Sequence, residues 1–141
     1  MAISTAICTS FKREILVGTH DFTPSTGDTF KIALYDSTAV LDASTTAYTT
    51  TGEITGTGYT AGGNTLVTIA PTTSGTTAIV DFDDSSWTGD LTANGALIYN
   101  SSKSNKAVCV LAFGLNRSSI NNSFVVKFPA ADSGNAVVRI A

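Results

Sequence analysis

Charged residues are scarce in this sequence. Only 13% of its 141 residues are Asp, Glu, Lys or Arg, and the formal net charge is −3. A chain without a basic field is not expected to bind nucleic acid or an anionic membrane surface. Few surface charges also give little protection against self-association, which predicts a protein that normally sits within an assembly.

Histidine and cysteine are almost absent. His20 is the only histidine, and Cys8 and Cys109 are the only thiols, so the sequence offers no plausible set of four zinc ligands. Asp21 could orient His20, but none of the 15 serines stands out as a nucleophile, and we expect no enzyme activity and no cofactor. The two cysteines lie far apart in apolar contexts and are expected to be buried free thiols.

The sequence lacks a hydrophobic run long enough to cross a membrane. Its short apolar N-terminal stretch is interrupted by Lys12, Arg13 and Glu14, which is unlike the core of a signal peptide. We therefore expect synthesis in a cytoplasm without insertion into a membrane.

Threonine and serine are abundant where charges are few. There are 23 threonines, all at or before Thr92, together with 15 serines. Because the branched threonine side chain favours pleated geometry, this composition predicts β-strands rather than helices. At this length the chain is expected to form a single domain spanning residues 1–141.

One segment, "TAICTSFKREILVG", has the periodicity of a helix, at about residues 5–17. Its apolar residues recur at helical spacing: Cys8, Phe11, Ile15 and Leu16. Ser4 or Thr5 could cap the start, and Gly18 suits the left-handed position after the end. The apolar face either packs on its own domain or docks on a neighbouring subunit, so Phe11, Ile15 and Leu16 are candidate interface residues.

Later segments alternate with the period of a strand. "FKIALY" places Phe30, Ile32 and Leu34 on one face, and "TAIVDFDD" places Phe82 and Asp81 on opposite faces. Further strands are expected at "TLVTIA", "NGALIYN", "KAVCVLAFG", "SFVVKFP" and "AVVRIA", with short pieces near Tyr48 and Ile54 and turns at "PTTSG", "NSSKSN" and "NRSSINNS". This layout predicts an antiparallel β-sandwich, jelly-roll or immunoglobulin-like, with about seven to nine strands and one N-terminal helix.

The segment "KAVCVLAFG" is apolar on both of its faces. A strand of this kind is expected at the centre of a sheet whose two faces are both covered by other elements. The second cover is either the N-terminal helix or another subunit, and the sequence leaves both alternatives open.

The segment "TGEITGTGYTAGG" contains five glycines around Tyr59. The spacing of Gly56, Gly58 and Ala61 matches a permissive dinucleotide-binding fingerprint, with Asp81 downstream as the ribose partner. That fingerprint requires a helix directly after it, whereas "NTLVTIAPTTSG" is rich in β-branched residues and contains a proline. We therefore expect the glycines to serve turns and close backbone contacts rather than a nucleotide.

Two further groups could carry a function. Asp81, Asp83 and Asp84 could bind calcium or act as an acid–base pair, but such a cluster is more often a solvated strand edge, which is our prediction here. Trp87, Tyr59 and Tyr99 could line a sugar-binding surface, although packing is the commoner role of large aromatic residues.

A series of segments runs through most of the chain in a recognisable order: "CTSFKREILVGTHDF", "GDTFKIALYDSTAVLDASTTAYTTTGEITGTGYTAGG", "TLV", "DFDD", "WTG", "ALIYN" and "VLAFG". The most specific part is "FKIALY" joined to "GEITGTGYTAGG". With these segments the chain resembles a family of small virion structural proteins of tailed bacteriophages.

The resemblance implies a virion protein that has no catalytic residues and is made in the host bacterial cytoplasm. Small β proteins of this kind are similar to decoration or cement proteins, which bind the major capsid protein outside the shell and tie its subunits together. The expected partners are therefore the major capsid protein, or another virion protein, and further copies of the chain. A tail or neck component, or a carbohydrate-binding head-fibre or adhesin module, are the alternatives.

Overall fold

The protein is built mainly of strands, as its composition predicts. A computed structural model describes residues 2–141, of which 43% are strand and 6% helix. The elements are β1 (Ala6–Ile7), α1 (Thr9–Leu16), β2 (Phe30–Tyr35), β3 (Asn64–Thr65), β4 (Thr68–Ser74), β5 (Thr77–Phe82), β6 (Ser85–Thr88), β7 (Thr92–Asn100), β8 (Lys106–Ser118), β9 (Ser123–Val126) and β10 (Val138–Ile140). The predicted fold class, antiparallel β with one N-terminal helix, is confirmed.

The strands form three antiparallel sheets in a sandwich-like arrangement. The largest has the order β1-β8-β7-β2-β3, the second the order β10-β5-β4, and the third pairs β6 with β9. The rings of Phe30 in β2 and Phe82 in β5 have centroids 6.0 Å apart, and Phe22 stacks on Phe30 at 4.3 Å. The main core therefore lies between the five-stranded and three-stranded sheets.

The helix is shorter than the predicted range of about 5–17. Ala6 and Ile7 pair with Val110 and Cys109 of β8, so this segment is extended where a helix was predicted. The N-cap is Cys8 and makes no side-chain cap hydrogen bond, so the predicted caps at Ser4 and Thr5 are wrong. The Thr5 hydroxyl instead accepts a hydrogen bond from the backbone N–H of Ala112. Gly18 has a φ of 73°, as predicted for the residue after the helix.

Strand β8 is central in its sheet and is buried on both faces over residues 107–110, as its two apolar faces predict. It lies between β1 and β7, and residues 107–110 are buried. The helix α1 packs on this part of β8, which decides between the two predicted covers for these residues. Cys8 and Cys109 are buried free thiols, and burial raises the pKa of Cys8 to about 11, so neither is a ready nucleophile.

Three boundaries differ from the sequence prediction. The "PTTSG" turn is wrong in part, because β4 continues to Ser74 through an irregularity between Ile69 and Thr72. Pro71 lies within that irregularity on an edge strand, where its missing N–H interrupts no ladder bond. β8 likewise extends to Ser118, into the predicted "NRSSINNS" turn, and β6 was not predicted.

Candidate functional site

An apolar groove runs between the helix and the edge strand β10. We call it the helix–β10 groove; it encloses about 340 Å³ and is lined by Ile7, Phe11, Lys12, Ile15, Leu16, Val138, Arg139 and Ile140. Leu16 is 85% exposed and Ile140 is 54% exposed. These large apolar side chains are exposed to water. The groove is therefore an exposed apolar surface, and it is lined by the three predicted interface residues.

The three predicted interface residues lie in different environments. Phe11 is 2% exposed, and its ring centroid lies 4.9 Å from that of His20 and 5.9 Å from that of Phe22. Phe11 therefore packs on its own domain, which is one of the two predicted alternatives. Ile15 is half-buried and Leu16 projects into solvent, so any contact with a neighbour falls to these two.

The glycine-rich segment is organised around one carboxylate, that of Glu53. Its Oε2 accepts a hydrogen bond from the Tyr48 hydroxyl at 2.6 Å, and its Oε1 accepts from the Tyr59 hydroxyl and the Gly62 N–H, both at 2.7 Å. The Tyr59 hydroxyl in turn accepts a hydrogen bond from the Leu34 N–H at 3.0 Å, so this backbone donor of β2 has a partner. Burial first, and then Glu53, raise the pKa of both tyrosines, so their hydroxyls stay protonated as donors.

This arrangement explains why the segment is not a phosphate loop. The Gly62 N–H, which an anion would need, already donates to Glu53, and the Gly62 carbonyl accepts from the Tyr99 hydroxyl at 2.6 Å. The chain continues into the short strand β3 rather than a helix. Gly58 has a φ of 93°, and a Cβ there would overlap the Thr88 carbonyl oxygen. The glycines therefore serve close backbone contacts, as predicted.

His20 lies in a sealed polar network. Its side chain is 0% exposed; Nε2–H donates to Glu14 Oε1 at 2.9 Å, and Nδ1 accepts from Asn100 Nδ2 at 2.9 Å. Asn100 Nδ2 also donates to Asp28 Oδ2 at 2.7 Å. Asp21, which could have oriented His20, instead accepts the Thr23 N–H, and Glu14 and Asn100 orient the ring. The network joins α1 to β7. Both ring nitrogens of His20 are hydrogen-bonded within the protein.

The aspartate cluster is solvated only in part: Asp83 and Asp84 are exposed, as predicted, whereas the prediction is wrong for Asp81. Asp81 is 1% exposed, and Phe82, which points to the opposite face of β5, is 2% exposed, so β5 is covered on both faces at this point. Its Oδ1 accepts the Phe82 N–H at 2.9 Å, whereas its Oδ2 is buried without a hydrogen-bond partner. Burial, and then the nearby Asp84 and Asp132, raise the pKa of Asp81. Within residues 2–141, no three His, Cys, Asp or Glu side chains are arranged to hold a metal ion.

Replacing Asp81 with asparagine is expected to stabilise the protein at neutral pH, because it removes a buried negative charge that has no cationic partner while keeping a side-chain oxygen for the Phe82 N–H. The folded-state pKa of Asp81 lies above the unfolded value of 3.8, so the wild type has its full stability below that pH and loses it as pH rises through the folded pKa. The gain should therefore be absent below about pH 4 and should grow as the pH rises through the folded-state pKa, as measured by urea unfolding at several pH values.

Asp83→Asn is the matched control for this prediction, since Asp83 is exposed on the same segment and should change stability little. An Asp81→Asn variant that is less stable than wild type at pH 7 would contradict the prediction.

The aromatic residues proposed for sugar binding do not form a platform. Trp87 is 4% exposed and Tyr99 is 2% exposed, while Tyr59 is half-buried with its hydroxyl bonded. The Trp87 ring packs between Tyr59 at 6.2 Å and Phe124 at 6.3 Å, measured between ring centroids. A carbohydrate-binding function would need other residues.

Among residues 2–141, no helix has the length and apolar character needed to cross a bilayer. No protein-family model, curated protein or solved structure matches the chain. The resemblance to virion proteins therefore stays a prediction from the sequence.

Proposed function

We propose that this protein is a non-enzymatic structural component of a bacteriophage virion, and specifically a decoration (cement) protein. It binds the major capsid protein on the outer surface of the shell and bridges neighbouring subunits, in contact with further copies of itself. The helix–β10 groove is the observation that carries this proposal, because it presents apolar side chains that a protein partner would remove from water.

The composition of the groove supports an apolar contact with a partner protein. Ile15, Leu16 and Ile140 supply aliphatic surface, and burying such a side chain contributes about 1.5–3 kcal/mol. An exposed ion pair contributes about 0–1 kcal/mol. With few charges in the chain, apolar contacts therefore dominate the binding energy, and the bound protein should resist salt.

The test uses shells that lack the protein and a double variant, Leu16→Asp with Ile140→Asp. Both side chains are exposed, so the variant should fold, while its binding to the shell should weaken by at least about tenfold for each side chain lost. Wild-type protein bound to shells should remain bound in about molar salt and dissociate in denaturant. Binding is measured by sedimentation of the shells, and folding by circular dichroism.

Val40→Asp is the matched control, since Val40 is 59% exposed and does not line the groove. It should bind like the wild type. Full binding by the double variant, or release by salt alone, would contradict the proposal. A reconstruction that places the protein on the tail or neck would favour that alternative instead.

A further inference from the structure

The strands β8 and β9 are consecutive in the chain but do not pair with each other. β8 pairs with β7 and β1, whereas β9 pairs only with β6. A groove of about 640 Å³ lies along them, which we call the β8–β9 groove; it is lined by Phe113, Arg117, Ser118 and residues 123–127. β8 and β9 are successive segments on one side of a ladder whose other side is β6 followed by β7, since Ser118 lies opposite Thr92 and Ser123 opposite Thr88. The edges of β8 and β9 that face away from β7 and β6 therefore lie on the same side of this ladder.

The outer part of β8 has an open backbone edge. Strand β1 pairs with β8 only at Cys109 and Val110, and the Thr5 hydroxyl takes the Ala112 N–H. Beyond this point, no strand in residues 2–141 pairs with that edge of β8. Residues 113–116 also leave the ladder with β7, because Ala112 lies opposite Gly95 and Arg117 opposite Ala93, and regular pairing with β7 resumes at Arg117 and Ser118. Unpaired backbone groups on a strand edge are a template for pairing with another strand.

The edge of β9 is open at a position that its register identifies. The Gly89 N–H donates to the Asn122 carbonyl, and hydrogen-bonded pairs alternate along an antiparallel ladder. Ser123 and Val125 therefore turn their backbone groups away from β6. The Ser123 N–H is taken by the Asn122 side chain, which leaves the Val125 N–H as the open donor.

The side chains around the groove define what would fit it. The rings of Phe113 and Phe124 lie 6.3 Å apart and join its two walls, and Val125 is 44% exposed. Arg117 and Lys127 are exposed at its rim, and neither forms an ion pair within the described part of the chain. Apolar walls with two unpaired cations are complementary to a strand that carries both apolar and acidic side chains.

We propose that the β8–β9 groove accepts an extended strand from a partner polypeptide in which apolar and acidic residues alternate. Backbone hydrogen bonds to the open edges hold the strand. Its apolar side chains lie on the face of β9 that carries Phe124 and contact Phe113, and its carboxylates lie on the opposite face, which carries Lys127, with Arg117 at the rim. The four residues of β9 match roughly 13 Å of added strand. This inference does not depend on the capsid function or on the helix–β10 groove.

The experiment uses a labelled eight-residue peptide of alternating valine and aspartate, with a valine–lysine peptide of the same length as its control. Fluorescence anisotropy should show binding of the acidic peptide and at least tenfold weaker binding of the basic one. Hydrogen exchange should slow at Val125 and along residues 113–118 when the acidic peptide is bound.

Val125→Pro removes the open N–H without touching the bonds to β6, so it should fold and lose at least tenfold in peptide affinity. Val125→Thr, which keeps the N–H and the side-chain shape, should bind nearly as well as wild type. The double variant Arg117→Glu with Lys127→Glu should exchange the preference and favour the valine–lysine peptide. Melting curves of every variant establish that it is folded.

The proposal is overturned if the acidic peptide fails to bind wild type at about 1 mM, which corresponds to about −4 kcal/mol. Equal affinity of Val125→Pro and Val125→Thr would also overturn it. A wild-type dimer that Val125→Pro converts to monomer, without peptide binding, would assign the edge to a second copy of the chain instead.

Discussion

Phe11→Asp is expected to leave the protein unfolded under conditions in which the wild type is folded. Phe11 is 2% exposed and packs on His20 and Phe22, so the variant loses a core aromatic ring and buries a carboxylate without a partner. Removing a buried phenylalanine costs about 3–5 kcal/mol, and the buried charge adds to this. The total is comparable with the whole stability of a domain, about 5–15 kcal/mol.

Circular dichroism and thermal unfolding of Phe11→Asp test this expectation. Leu16→Asp is its control, since Leu16 lies on the same helix but is 85% exposed, and its stability should change by about 0.5 kcal/mol or less. If Phe11→Asp melts within a few degrees of the wild type, the helix does not pack on the core as described.

Gly58→Ala is expected to destabilise the protein far more than Gly75→Ala. Both glycines have positive φ, at 93° and 61°, so both variants incur backbone strain of about 1–3 kcal/mol. At Gly75 a Cβ meets no atom within 4 Å, whereas at Gly58 it overlaps the Thr88 carbonyl. The overlap forces the glycine-rich segment away from β6, which adds roughly 1–3 kcal/mol at Gly58 alone.

Urea unfolding of the two alanine variants measures this difference directly. Because the strain from positive φ is common to both, the excess cost at Gly58 reports the close backbone contact. Equal destabilisation of the two variants would mean that the contact between the segment and β6 is not tight.

Local periodicity predicted several strands correctly, because their faces differ in polarity or are both apolar. "FKIALY" forms β2 between β3 and β7, and the doubly apolar "KAVCVLAFG" forms the central β8. Asp81 was misread because alternation assigns a polar residue to the solvent face. β5 has no solvent face at this point, since Asp81 and Phe82 point to opposite faces and are both buried. Neither cover is visible in the local pattern of the segment.

The polar clusters were not predictable from local patterns. Tyr48, Glu53 and Tyr59 lie close together in sequence, and a single acid between two tyrosines in a glycine-rich segment was an available signal. The bond between His20 and Asn100 spans 80 residues, and no local spacing indicates it. The open β8–β9 groove is likewise a tertiary feature, since both strands read as ordinary members of a sheet.

The pairing of β1 with β8 delays completion of the five-stranded sheet until β8 has been synthesised. Ala6 lies opposite Val110, so the two partners are separated by roughly 100 residues of chain. A ribosome adding about 5–20 residues per second makes β8 some 5–20 s after β1, and closing so long a loop is slow. Until then β1 has no strand to pair with, and α1 has no β8 to cover. A nascent chain that stops before residue 106 therefore cannot complete the five-stranded sheet, and its core stays open to water.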